Sequence, residues 1–189
     1  ETGEMLFADV VAEISGLTDG ELLERARLTE QRQRVLDAER AAVLAAVEQR
    51  RLHQRDGHAT IWGLLRATFG WSDGECRTRM RAARLIAAHP HVGDSLHDGR
   101  VPVANVDAIA RGFANPRCGH EIDGVLGTLL TNAERMEYDD FRPVVERWEM
   151  LADADGAHRD REQIHENRNA HCVVWQGQGT LAAQWGDLD

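Results

Sequence analysis

The chain has 189 residues, 42% of them hydrophobic, and a formal net charge of -10. That length fits one domain or two small ones, and that apolar share supplies a core and excludes a wholly disordered chain. The acidic balance weighs against a dedicated nucleic-acid binder, whose affinity comes mainly from phosphate neutralisation, although a local basic face can still touch DNA.

All 22 Lys-or-Arg positions are Arg, a pattern of GC-rich coding. Arg differs from Lys in its planar fork, which pairs with carboxylates or phosphates through two hydrogen bonds. No apolar run approaches the roughly 18 residues that cross a bilayer. The N-terminus also lacks a basic-then-apolar leader pattern. A cytoplasmic protein without membrane contact is therefore expected. Cys76, Cys118 and Cys172 are far apart and odd in number. Their spacing fits neither a zinc ribbon nor a disulfide scaffold, and they read as free buried thiols.

In chain order, Glu1-Thr2-Gly3 stands before the first Met and reads as an expression remnant within an N-terminal segment, 1–17. Thr18-x-x-Glu21 is a capping box that opens a long helix running to about His53. Leu22, Ala26, Leu36, Val43 and Val47 recur along it at helical spacing and are expected to face a core. Thr29, Gln33 and Arg40 stand where a coiled coil wants apolar side chains, so a bundle spine is the better reading than a coiled-coil arm.

Asp56-Gly57 breaks that helix. A short one follows over Thr60 to Thr68, with Gly70 as its stop. Ser72-x-x-Glu75 reads as a second capping box, opening a helix to about Ala88 before Pro90. Val92 and Leu96 mark a short helical stretch, and Pro102 suits the start of the next helix, through Val106 and Ile109. Ile122 to Leu130 traces an amphipathic helix, and Asp139-Asp140 opens another through Trp148 and Leu151. Asp153 to Asn169 is nearly all polar, and from His171 the period drops to two. Cys172 to Trp175 and Thr180 to Trp185 then read as strands about a Gly177-Gln178-Gly179 turn. The chain stops soon afterwards, which reads as a truncation.

The order of several motifs resembles one family. They are Arg50-Arg51-Leu52, Asp56-Gly57-His58, Gly99-Arg100-Val101-Pro102, Ala157-His158-Arg159-Asp160-Arg161 and the terminal strand, Gly-x-Gly, strand. This is similar to the domain of unknown function 222, which precedes HNH nuclease modules in actinobacterial repeat-element and prophage proteins. The resemblance covers the chain from Thr18 onward and implies a helical domain without catalytic residues of its own. Nothing in the sequence matches the HNH module itself, and the segment before the hairpin alternates in sign where the family is often basic.

Arg77, Arg81 and Arg84 recur at three- and four-residue spacing, with Arg79 beside them, and make the candidate nucleic-acid-binding surface. With the preceding helix and the Gly70 turn they resemble a helix-turn-helix. The better reading of the same arginines is a solvated face or a belt paired with the chain's own carboxylates, because helix pairs with a Gly turn are common and the overall charge is acidic. His89, His91 and His97, like His158 and His165, read as surface residues rather than metal ligands. The five tryptophans read as core rather than base-stacking platforms. No catalytic, metal or cofactor site is assigned.

The expected fold is mainly α: a multi-helix bundle over 18–168 with a long N-terminal helix, then a C-terminal β-hairpin over 169–189. The expected function is a non-catalytic domain of an HNH-endonuclease-like protein, associated with DNA or serving assembly. The alternative is a protein-interaction or homodimerisation domain without nucleic-acid contact.

Overall fold

The computed structural model describes residues 7–153 and the backbone of 169–175 and 178–184. The described residues form nine α-helices, one 3-10 turn and one antiparallel strand pair. No helix among them is long and apolar enough to cross a membrane.

Helix α1 spans Phe7–Ser15, within the segment that offered no cap in the sequence. Thr18 then caps α2, Asp19–Gln49. The Glu21 amide donates to the Thr18 hydroxyl, and the Thr18 amide donates to the Glu21 carboxylate at 2.8 Å, completing the box. Helix α2 stops before the expected His53 because Arg51 turns left-handed, with φ 51°, and α3 restarts over Leu52–Arg55.

Thr60 and the left-handed Gly70 bound α4, Ile61–Phe69. Ser72 caps α5, Asp73–Ala88, by accepting from the Glu75 amide at 3.2 Å. The reciprocal half of this box is not made; the Glu75 carboxylate instead accepts from Arg79 at 2.7 Å. Pro90 is the first residue of α6, Pro90–His97, while Pro102 sits just outside α7, Val103–Phe113.

The single helix expected from Ile122 to Leu130 is divided. A 3-10 turn, Gly119–Gly124, precedes α8, Leu126–Ala133. The chain returns tightly here: a Cβ at Gly119 would lie 2.1 Å from the Phe113 carbonyl oxygen. Helix α9, Tyr138–Ala152, closes the bundle. Strand β1, Asn169–Trp175, pairs antiparallel with β2, Gln178–Gln184, setting Trp175 opposite Gln178.

Helix α5 is the centre of the bundle and packs against α2, α4, α6 and α7, while α9 covers α7 and α8. Leu65, Met80, Leu85, Ile109, Phe141 and Val145 are buried in one core. Asn105 is wholly buried in α7 and donates to the carbonyls of Ala133 and Met136, at 2.9 and 3.1 Å. It thereby satisfies the last carbonyl of α8, which has no intrahelical donor, and one in the turn that follows.

The core face of α2 is not the one its leucine and valine spacing suggested. Leu36 and Val43 are 55% and 54% exposed, and Leu22 is also exposed, whereas Ala38, Ala41 and Leu44 are buried. Small side chains let α5 approach α2 closely, so the alanine face wins the contact. Of the expected apolar stripe only Val47 packs against the core.

Cys76 and Cys118 are free and buried, as their spacing suggested, and burial pushes the Cys118 thiol upward in pKa. The side chains of Cys172, Trp175 and Trp185 and the residues His158 and His165 lie outside the described set.

Candidate functional site

All four candidate arginines lie on α5, and its central position divides them. Arg77 is exposed and bonds back to the Asp73 carbonyl of its own helix at 3.3 Å. Arg81 is half-buried and touches the Thr78 hydroxyl at 3.4 Å. Arg79 and Arg84 have acidic partners. Both Arg84 Nε and Nη2 donate to Glu48 of α2, at 3.0 and 2.6 Å. This hydrogen bonding raises the Arg84 pKa further.

Arg79 stacks over Trp71 at 4.7 Å from the ring centroid, and Arg84 lies 5.9 Å from that of Trp62. The two tryptophans are half-buried at the edge of the core, each with a guanidinium nearby, as is Trp148 without one. Cation–π contacts of this kind hold the arginine as well as the ring.

Arg79 also turns toward a cavity of about 420 Å³ between α2, α5 and α7, apolar over most of its lining with charged side chains set into it. Asp37 and Arg40 of α2 are ion-paired on one wall, and Arg79 Nη1 lies 3.9 Å from Asp37. Asp107 of α7 completes the lining. Burial pushes the Asp107 carboxyl up to about 6, against the opposing pull of Arg81, Arg79 and Arg40. Burial, followed by the like charge of Arg79, makes Arg40 less basic.

Three guanidiniums, of Arg40, Arg79 and Arg81, thus face three carboxylates, of Asp37, Glu75 and Asp107. Such a balanced set ties helices together and leaves no surplus charge to hold a phosphate. Sequence reading did not single out this cluster. Its one visible signal is Arg40 and Gln33 at apolar positions of the α2 repeat, and both line the cavity.

A recognition helix must present one face to the groove. Helix α5 follows α4 across the Gly70 turn as a helix-turn-helix would, but four helices pack against it. Arg77 and Arg84 are its exposed arginines, and Arg84 is bound to Glu48.

His89 and His91 meet edge to face, with ring centroids 6.0 Å apart. His89 lies 3.4 Å from Asp123 and edge-on to Phe113, while His97 lies beside Asp98. Among the described residues, no three His, Cys, Asp or Glu side chains gather in a metal-binding group.

A second surface lies on α1 and the first half of α2. Every residue from Asp19 to Gln33 except Arg25 is exposed. Phe7 is 81% exposed and Leu23 63%, with Val11, Ile14 and Leu28 also exposed. Arg25 links this arm internally through Glu13 of α1, at 3.3 Å.

The profile of the domain of unknown function DUF222 matches residues 21–184. No curated protein and no solved structure matches the chain.

Proposed function

We propose that this chain, which belongs to the DUF222 family, is a non-catalytic assembly domain that positions an HNH-endonuclease-like module through protein–protein contact. The observation that carries this reading is the arm, where Phe7, Val11, Leu23 and Leu28 are exposed together. Gathered apolar surface of this kind marks docking sites on otherwise well-packed proteins.

A DNA-contacting role for the same domain has weaker support. Arg79 and Arg84 already have carboxylate partners, and the whole chain carries -10. The HNH connection and the actinobacterial prophage setting rest on the order of motifs from Arg50 to the C-terminal Gly-x-Gly.

Two measurements test the reading. A labelled duplex titrated at low salt with wild type, Arg77→Glu and Arg81→Glu should show no binding by any of the three. Wild-type binding that weakens on reversal and with added salt would replace assembly by a nucleic-acid role. The chain should also leave DNA uncut with magnesium, manganese or zinc supplied. Cleavage abolished by substituting one of its own residues would end the non-catalytic assignment.

A further inference from the structure

We propose that the arm of α1 and the first half of α2 is the interface between two copies of this chain, packed antiparallel. The inference rests on the assembly reading and names its partner.

The fifteen residues of α2 from Asp19 to Gln33 run along roughly 22 Å of helix, at about 1.5 Å per residue. All but Arg25 are exposed, and only the inner end meets the bundle, with Gln31 beside Gly99 and Gln33 on the cavity wall. Leu22, Leu23 and Leu28 are exposed along this stretch. Helix α1 has nine residues, fewer than the roughly 12–15 that hold a helix in water without tertiary contacts. Its Phe7, Val11 and Ile14 form one exposed stripe. Ile14 faces Leu22, Ala26 and Thr29 across a shallow furrow between the two helices. Beyond this furrow and the Arg25–Glu13 pair α1 and α2 touch little, so the apolar side chains of the arm lack a covering neighbour among the described residues.

Charge selects the occupant and its direction. Asp19, Glu21 and Glu24 make the outer part of the arm acidic without a basic residue among them. The next stretch carries Arg25, Arg27, Arg32 and Arg34 against the one acid Glu30. A parallel second copy would set acid beside acid and Arg beside Arg. An antiparallel copy sets each acidic block against the other's basic block. With the twofold axis between Arg25 and Ala26, Asp19 of one copy is level with Arg32 of the second and Glu24 with Arg27, four opposite pairs over the two halves against the two like pairs of Glu21 with Glu30. The contact is then isologous and closes at two chains. Arg32 makes no ion pair among the described residues, which leaves it available.

The test uses the 189-residue chain. Its mass by sedimentation equilibrium should rise with concentration from one chain to two. Leu23→Asp and Leu28→Asp should each hold it at one chain, with the melting temperature of dilute protein unchanged because both sites are exposed. Arg32→Glu should raise the dissociation constant about tenfold, the cost of setting like charges together. Adding Asp19→Arg to Arg32→Glu should restore it, which parallel pairing would not do.

A single-chain mass at every concentration overturns the proposal, as does a dimer indifferent to both leucine substitutions. Neither outcome touches the assembly reading itself, which stands or falls separately on the duplex titration.

Discussion

Helix α2 passes from one physical regime to another within its own length. Over its second half, Ala38, Ala41 and Leu44 are buried against the bundle, and Arg34 reaches across to the Gly99 carbonyl at 2.9 Å. Over its first half, Leu22, Leu23 and Leu28 are exposed. The half richer in apolar residues is the buried one, yet three leucines of the other stay in water. What fixes α2 to the bundle is close approach, which alanine allows, together with a balanced set of charges at the α5 and α7 seam. The arm carries leucines that no neighbour among the described residues covers. This contrast separates residues that hold the fold from residues available for a partner.

The largest effect is expected deep in the bundle, at Gly119. A methyl group there meets the Phe113 carbonyl oxygen at 2.1 Å, and a backbone atom cannot rotate away as a side chain can. Gly119→Ala should cost about 3 kcal/mol, the upper end for overpacking. The melting temperature should fall by roughly 10 °C. Asn105→Ala should follow at about 2 kcal/mol, because it strands the buried Ala133 carbonyl and the half-buried one of Met136. A melt within a degree of wild type for either variant would mean that this side of the bundle is looser than its packing implies.

Asp107 gives the contrast a pH dependence. Its folded pKa, about 6, lies above the ordinary 3.8, so the folded state holds its proton more tightly than the unfolded chain. Its contribution to stability is therefore fully present below the ordinary value and is lost as pH rises through about 6. The loss is on the order of 2 kcal/mol, discounted for partial exposure. Asp107→Asn should flatten this part of the stability curve, and the wild-type-minus-variant difference should change between these two pKa values. An unchanged difference across that window would show that Asp107 keeps an ordinary pKa.

At the edge of the bundle the effects shrink. Arg84→Glu breaks the Glu48 pair and the contact with Trp62, and should cost about 1 kcal/mol. Arg77→Glu breaks only a bond to its own helix and should stay within about 0.5 kcal/mol. Equal losses for the two would contradict the division of the α5 arginines described above.

Local signals account for what the sequence made legible. Thr18, Thr60, Gly70 and Ser72 mark helix ends because caps act within a turn of themselves. Helix α1 has the apolar spacing of Phe7, Val10, Val11 and Ile14 but no cap, and a nine-residue period is short beside the helix that follows. The break between Gly119–Gly124 and α8 depends on the close return to Phe113, a tertiary contact that periodicity does not carry. The candidate site was legible as a basic helix and as arginines suited to pair with the chain's carboxylates; which carboxylates was not legible. Its carboxylate partners Glu48 and Asp37 come from α2, many residues away, and their pairing required the fold.

The smallest effect is expected where the apolar repeat of α2 looked most like core. Leu36 and Val43 sit at heptad spacing with Leu22, and on periodicity alone an acidic side chain at either place would bury an unpaired charge. In the folded chain both are more than half exposed, so an introduced carboxylate stays in water and owes no such desolvation. Leu36→Asp and Val43→Asp should then shift the stability of dilute protein by no more than about 0.5 kcal/mol. Thermal melts of both variants, each compared with Leu44→Asp on the buried face of the same helix, make the measurement internally controlled. Leu44→Asp should unfold the domain or lower its melting temperature steeply. If Leu36→Asp behaved like Leu44→Asp at a concentration where wild type is a single chain, the larger side chains of α2 would be its core face. The contrast between arm and bundle would then dissolve.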